Sequence, residues 1–274
     1  MNYDSRPIGV FDSGIGGLTI AHGMVEQMPR ESIIYFGDTQ HLPYGDKSAG
    51  TVKRYSLEIS RFLISKNCKA IVIACNTASA LAFDVVKNQF PDIKVYNVID
   101  PVVEVVANLG LTDVGVIGTR STIGSGIYSK KIKNAANNVN VHALATPLLV
   151  PMVEEGYHNQ NISKEIIASY LSLPELGAID ELILGCTHFP LIKDEINEYY
   201  KGSVVLIDSP TIVSKKIFEG LKVNQMLSDN ASPNHSFFVS DLTSSFAKSA
   251  SRFFSDSISL KECRLWEKGN ETCF

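Results

Sequence analysis

Short apolar runs rich in Val and Ile alternate with longer amphipathic stretches along this chain of 274 residues. Residues 8–11 (Ile-Gly-Val-Phe) are the first such run and read as a buried strand; a glycine-rich turn follows, then helical spacing over about 18–28. Residues 33–36 read as a second strand, followed by a long loop through 41–45. Over 47–66, Tyr55, Ile59, Phe62 and Leu63 fall on one side of a helix. A strand over 70–74, a helix over 78–88 and a strand over 95–99 complete this half. Strands alternating with helices predict an α/β fold of parallel sheets with helices on both faces.

The second half repeats the plan. Val114-Gly115-Val116-Ile117-Gly118-Thr119 resembles Ile8-Gly9-Val10-Phe11-Asp12-Ser13, and 139–144 stands where 33–36 stood. Leu182-Ile183-Leu184-Gly185-Cys186 matches Val72-Ile73-Ala74-Cys75, and 205–208 matches 97–100. The offsets, 106, 106–108, 111 and 108 residues, are nearly constant and in order. Two pseudo-symmetric parallel-sheet lobes are therefore expected, with a cleft between them. The tail contributes helical spacing over 214–227, a strand over 236–239 and a helix over 242–254; beyond 255 it reads as loop or edge structure. The simplest division gives 1–98 plus 208–274 to a discontinuous first lobe and 99–207 to the second.

Ligands in open parallel sheets bind at the carboxyl ends of the strands. Five polar clusters stand at such ends: Asp12-Ser13, Asp38-Thr39, Cys75-Asn76-Thr77, Thr119 to Thr122, and Cys186-Thr187-His188. If the two lobes face each other through these ends, all five line one cleft. The cysteines stand out. Cys75 and Cys186 lie 111 residues apart, each closing a β-rich apolar run, each after a small residue, each before Asn-Thr or Thr-His. Two thiols placed alike on two related halves suit one acid and one base facing a single atom.

Composition narrows the picture. The hydrophobic content of 45% is ample for a packed core, and the net charge of −4, with no Lys/Arg cluster, argues against nucleic acid or an anionic membrane as main partner. The first residues hold no apolar signal core, and no run approaches the length of a membrane span. Five widely spaced cysteines without a CxxC point to free thiols in a reducing cytoplasm and give little support to a zinc site. Cys68, Cys263 and Cys273 read as plain core residues.

The remaining clusters allow several readings. Asp12-Ser13-Gly14-Ile15-Gly16-Gly17 could hold an anion on its amides, but it is neither GxGxxG nor a P-loop, and the aspartate repels phosphate. An amino acid fits better, with Asp12 for an ammonium and Ser13 for a carboxylate; simple helix capping competes with this. Pro43-Tyr44-Gly45 can present amides to a carboxylate, and Asp38 is either a ligand contact or a loop-capping acid. Thr119, Ser121 and Thr122 suit a carboxylate or a helix cap. Glu154 and Glu155 follow an apolar stretch, where one acid could orient a histidine. His188 could pair with Cys186 as imidazolium and thiolate, share a metal with it, or be a packed core histidine.

Taken together, Phe11 to Gly17, Gly37-Asp38-Thr39, Leu42 to Gly45, Ala74 to Ser79, Pro151 to Gly156 and Gly185 to Pro190 resemble the glutamate racemases, a branch of the cofactor-independent aspartate/glutamate racemases. The resemblance runs from about Ile8 to Asp208 and carries little beyond Ser228. It implies a two-lobed α/β fold with glutamate between the lobes and no cofactor or metal. By the same resemblance the catalytic thiols are Cys75, acting on D-glutamate, and Cys186, acting on L-glutamate, with Asp12, Asp38, Glu154 and His188 in support. Substrate contacts fall on Asp12, Ser13, Pro43, Tyr44, Gly45, Asn76, Thr77, Thr119, Ser121, Thr122, Thr187 and His188. Peptidoglycan synthesis in a bacterial cytoplasm and a homodimeric state are implied as well. The rivals are a racemase of another acidic amino acid such as aspartate, a related decarboxylase, which uses one of the two thiols, and a non-catalytic amino-acid-binding module, which has no need of paired thiols.

Overall fold

The structure, a computed structural model, describes residues 3–110, 112–254 and 258–267. The first repeat runs β1 (Ile8–Asp12), α1 (Leu18–Gln27), β2 (Ile33–Gly37), α2 (Ala49–Ser65), β3 (Ala70–Ile73), α3 (Asn76–Gln89), β4 (Lys94–Asn97) and α4 (Asp100–Leu109). The second runs β5 (Asp113–Gly118), α5 (Arg120–Gly124), α6 (Ile127–Ala135), β6 (Asn140–Ala145), α7 (Leu149–Glu154), α8 (Asn161–Leu171), β7 (Glu181–Gly185), α9 (Lys193–Tyr200) and β8 (Val205–Ile207). The tail adds α10 (Ser209–Val223), β9 (Ser236–Val239), α11 (Ser244–Phe253) and β10 (Leu260–Glu262).

These strands make two parallel sheets, ordered β10-β9-β2-β1-β3-β4 and β6-β5-β7-β8. Setting the tail aside, the two orders are the same: 2-1-3-4 in the first repeat, 6-5-7-8 in the second. The central strands β1, β3 and β7 are buried at every position, which is why they read as unbroken apolar runs rather than as alternating ones. The tail's β9 pairs with β2 in register Ile34 with Ser236, and β10 closes that edge, so 260–262 is a true edge strand.

Several boundaries differ from those the sequence implies. The third strand ends at Ile73 and its helix starts at Asn76 instead of 78, because Cys75 is the N-cap. The fourth strand stops at Asn97 rather than 99: the Asn97 Oδ1 accepts from the amides of Ile99 and Asp100 and turns the chain into α4. The helix expected over 214–227 lies at 209–223, since Pro210 sits in its first turn, where a missing N–H costs nothing. Among the described residues no helix is long and apolar enough to cross a membrane. Cys68, Cys75 and Cys186 are buried free thiols, but Cys263 is disulfide-bonded, contrary to the expectation of free thiols throughout; Cys273 lies outside the described residues. Spacing along a chain cannot report which sulfurs meet in space.

Candidate active site

Cys75 emerges from β3 at the first lobe's carboxyl edge and caps α3. Its Sγ accepts from the Ala78 amide at 3.4 Å and donates to the Ser13 hydroxyl at 3.7 Å. Burial, followed by the charge of Asp12, holds this thiol well above the ordinary thiol range, against the opposing Ala78 and Ser13 hydrogen bonds. Cys75 is therefore a thiol at neutral pH. Asp12 organises the glycine-rich turn rather than facing open space: its Oδ2 accepts from the Gly17 amide at 2.9 Å and the Gly14 amide at 3.3 Å. Its Oδ1 is buried with no partner among the described residues.

Cys186 follows β7 at the matching edge of the second lobe. A short 3-10 turn (Phe189–Ile192), not an α-helix, comes after it, so a helix N-terminus is set behind Cys75 and not behind Cys186. Another group takes that place. The His188 Nδ1 lies 3.7 Å from the Cys186 Sγ, and its Nε2 lies 3.0 Å from Glu154 Oε1 on α7. Burial of this histidine opposes its cation, but the hydrogen bonds to Cys186 and Glu154 outweigh burial and push it up to about 10. An imidazolium thus faces the second sulfur at neutral pH. Of the three readings that the sequence left open for His188, the charged pair with Cys186 fits this geometry. Among the described residues no cluster of His, Cys, Asp and Glu is arranged to hold a metal.

The two sulfurs line one small cavity of about 30 Å³ at the seam between the lobes. The first lobe supplies Ser13, Pro43, Tyr44, Gly45, Asn76 and Thr77 to its wall; the second supplies Thr119, Glu154, Thr187 and His188. None of the lining residues is Lys or Arg. Anionic groups entering this cavity must be met by hydroxyls, amides and the imidazolium. The hydroxyls of Thr77, Thr119 and Thr122 form a triangle with sides of 2.9 to 3.0 Å, joining the lobes at one end of it. Ser121 joins them again, its hydroxyl donating to the Gly45 carbonyl at 2.7 Å. At Gly45 a Cβ would come within 2.7 Å of Thr119, so glycine is required for this approach.

Not every expected residue reaches the cavity. Ser13, Cys75, the threonines Thr77 and Thr119, and Cys186 to His188 do, but Asp12, Asp38, Ser121 and Thr122 stand behind its wall. Of the five strand-end clusters, Asp38-Thr39 contributes no lining residue. Asp38 accepts from the Tyr44 hydroxyl at 2.6 Å, and from Ser240, the Trp266 indole and the His41 Nδ1 at 2.9 to 3.0 Å. It is the fixed acceptor that holds Tyr44 against the cavity. Trp266 and Ser240 belong to the tail, as does Phe253, whose ring meets the edge of His188 at a centroid distance of 5.2 Å. The sequence offered no motif for these, although Trp266 is the chain's single tryptophan. Gly14 and Leu42 fall inside motifs the sequence singles out but carry no expected contact of their own, and Val150 likewise has no expected role; all three line the cavity.

The raised proton affinity of His188 has a readable consequence. Activity that needs the imidazolium falls as pH rises through about 10, the point at which the folded protein loses this proton. A pH profile of kcat/KM should show that alkaline limb. In His188→Asn the rate should drop about a hundredfold at pH 8 and the limb should vanish. An identical limb in the variant would assign it to another group.

A sequence profile described as Asp/Glu/Hydantoin racemase matches residues 8–216. The chain is 42% identical over 250 residues to a glutamate racemase of Geobacter metallireducens, covering 90% of this chain and 92% of that one. It is 40% identical over 267 residues to a glutamate racemase of Streptococcus equi subsp. equi, covering 96% and 100%. The crystal structure of glutamate racemase from Francisella tularensis in complex with D-glutamate superposes with a TM-score of 0.91 at 40% identity, over 96% of this chain and 99% of that one.

Proposed function

The chain belongs to the Asp/Glu/Hydantoin racemase family, and from that premise we propose that it interconverts L- and D-glutamate with Cys186 and Cys75 as the two proton-transfer groups. One observation carries the reading: two sulfurs, one from each lobe, line a single small cavity in unlike electrostatic settings. An imidazolium at His188 stabilises a thiolate on Cys186. Burial and Asp12 keep the proton on Cys75.

With L-glutamate bound, the Cys186 thiolate takes the α-proton. The Cα–H pair of electrons moves into the carboxylate, which becomes an ene-diolate. Cys75 then gives its proton to the opposite face of Cα and is left as the thiolate; D-glutamate and a neutral Cys186 result. The reverse turnover restores the first state. The α-proton is far less acidic than a thiol, and each unit of mismatch costs about 1.4 kcal/mol. Hydrogen-bond donors placed where the ene-diolate charge develops reduce that cost, in a cavity too small to hold bulk water. The Asn76 NH₂ group, which has no partner among the described residues, and the Ser13 hydroxyl, which accepts from Cys75, supply such donors, while the Thr77 and Thr119 protons are shared within the triangle with Thr122. Both carboxylates of the substrate are met without a cation from Lys or Arg, which leaves the ene-diolate as the better-bound species when its charge grows.

D-Glutamate made in this way feeds peptidoglycan synthesis, and we place the reaction in the cytoplasm on the sequence resemblance, although the disulfide at Cys263 does not itself speak for a reducing compartment. The homodimer that the same resemblance implies is part of this proposal, and size-exclusion chromatography with light scattering tests it. Circular dichroism of L-glutamate and L-aspartate incubated with the protein tests the substrate. Loss of optical activity with glutamate at least a hundredfold faster than with aspartate is expected; equal rates would remove the glutamate assignment.

A further inference from the structure

Tyr128 lies on α6, outside every motif the sequence singles out, and it is 2% exposed. Its ring packs beneath Gly185, where a Cβ would be 3.5 Å from Cε2. Its hydroxyl donates to the Oδ1 of Asn76 at 2.7 Å. Asn76 belongs to the other lobe, in the first turn of α3 beside Cys75, and it lines the cavity. The Asn76 Nδ2 is buried and has no partner among the described residues. An amide has one acceptor end and one donor end. With the acceptor end committed to Tyr128, the donor end is left for whatever occupies the cavity.

We propose that Tyr128 is a positioning residue that fixes the Asn76 amide with its NH₂ group turned to the substrate carboxylate. The bond spans the two lobes, tying α6 of the second to α3 of the first. Burial raises the Tyr128 hydroxyl far above its usual range and keeps it a donor. Without that hydroxyl the Oδ1 would be unpartnered and the amide free to turn over, offering an oxygen to an anion. The inference rests on the assignment of an amino-acid carboxylate to this cavity.

A double-mutant cycle on D-glutamate binding tests it, in a Cys75→Ala parent so that ligand is not consumed. Dissociation constants come from calorimetry, with melting temperatures taken alongside. Tyr128→Phe should weaken binding about tenfold, in the range for one buried hydrogen bond, with little change in melting temperature. Asn76→Ala should weaken it at least as much, and the double variant should equal Asn76→Ala within twofold, because Tyr128 acts only through Asn76. Asn76→Ser replaces Asn76→Ala where the latter does not fold. Binding by Tyr128→Phe within twofold of the parent overturns the proposal, as do multiplicative losses in the double variant. Racemisation by the unmutated protein is followed separately. Its absence with the cycle intact removes the catalytic reading alone, and its presence without coupling removes Tyr128 alone.

Discussion

Cys75→Ala and Cys186→Ala each abolish racemisation, by at least about a thousandfold, yet each retains exchange of one enantiomer's α-proton with solvent deuterium. The size follows from what is lost. A single alanine removes the base for one enantiomer and the acid that completes turnover of the other, so net inversion fails in both directions. The equality of those losses is required by thermodynamics, since the two enantiomers are equally stable in water and kcat/KM must match in the two directions. Exchange is under no such constraint. In Cys75→Ala the Cys186 sulfur, still paired with His188 at 3.7 Å, can take and return the proton of L-glutamate. In Cys186→Ala only D-glutamate should exchange, and slowly, because Cys75 has no cation beside it and burial holds its proton tightly. Proton NMR in deuterated water reads both rates. Undiminished racemisation in either variant would sink the two-base scheme. Exchange of the same enantiomer in both would sink the assignment of faces.

The two parallel sheets were legible because the runs that build them repeat along the chain. All four strands of each repeat take corresponding places in the two sheets, and the runs before Cys75 and Cys186 are one such pair, β3 and β7. The site was legible wherever a side chain touches the cavity through a strand end, as Ser13, Asn76, Thr119 and Thr187 do. It was illegible where a residue acts through another. Asp38 looks the same in sequence whether it meets ligand or holds Tyr44, and only the four donors converging on it decide the matter. Three of the tail's side chains, Ser240, Phe253 and Trp266, buttress the site across more than 60 residues of separation, which no local pattern encodes.

The glycine-rich turn shows the same limit and gives the second large effect. Its glycines read as amides opened to an anion, but their main use here is close approach. Gly17 lies against the Asp12 and Ala74 side chains, where a Cβ would fall at 2.6 and 2.9 Å. Gly16 lies against the other lobe: a Cβ there would fall 2.5 Å from His188 Cε1 and Nδ1 and from Thr187 Oγ1. His188 cannot yield cheaply, being held by Glu154 at 3.0 Å and by the Phe253 ring. Gly16→Ala must therefore part the lobes or turn the imidazole, and either loosens the Cys186–His188 contact and the alignment of the two sulfurs across Cα. A misplacement near 1 Å at a reacting centre costs about a hundredfold. Each lobe keeps its own sheet, so the melting temperature should fall by only about 2–4 °C. The expected outcome is a loss of about a hundredfold or more in kcat/KM in a folded protein. Gly50→Ala, whose Cβ would meet nothing within 4 Å, should match the unmutated enzyme. Activity of Gly16→Ala within threefold of the unmutated enzyme would mean that the lobes can part at this point without disturbing the chemistry, and that the pairing of Cys186 with His188 is looser than the geometry requires.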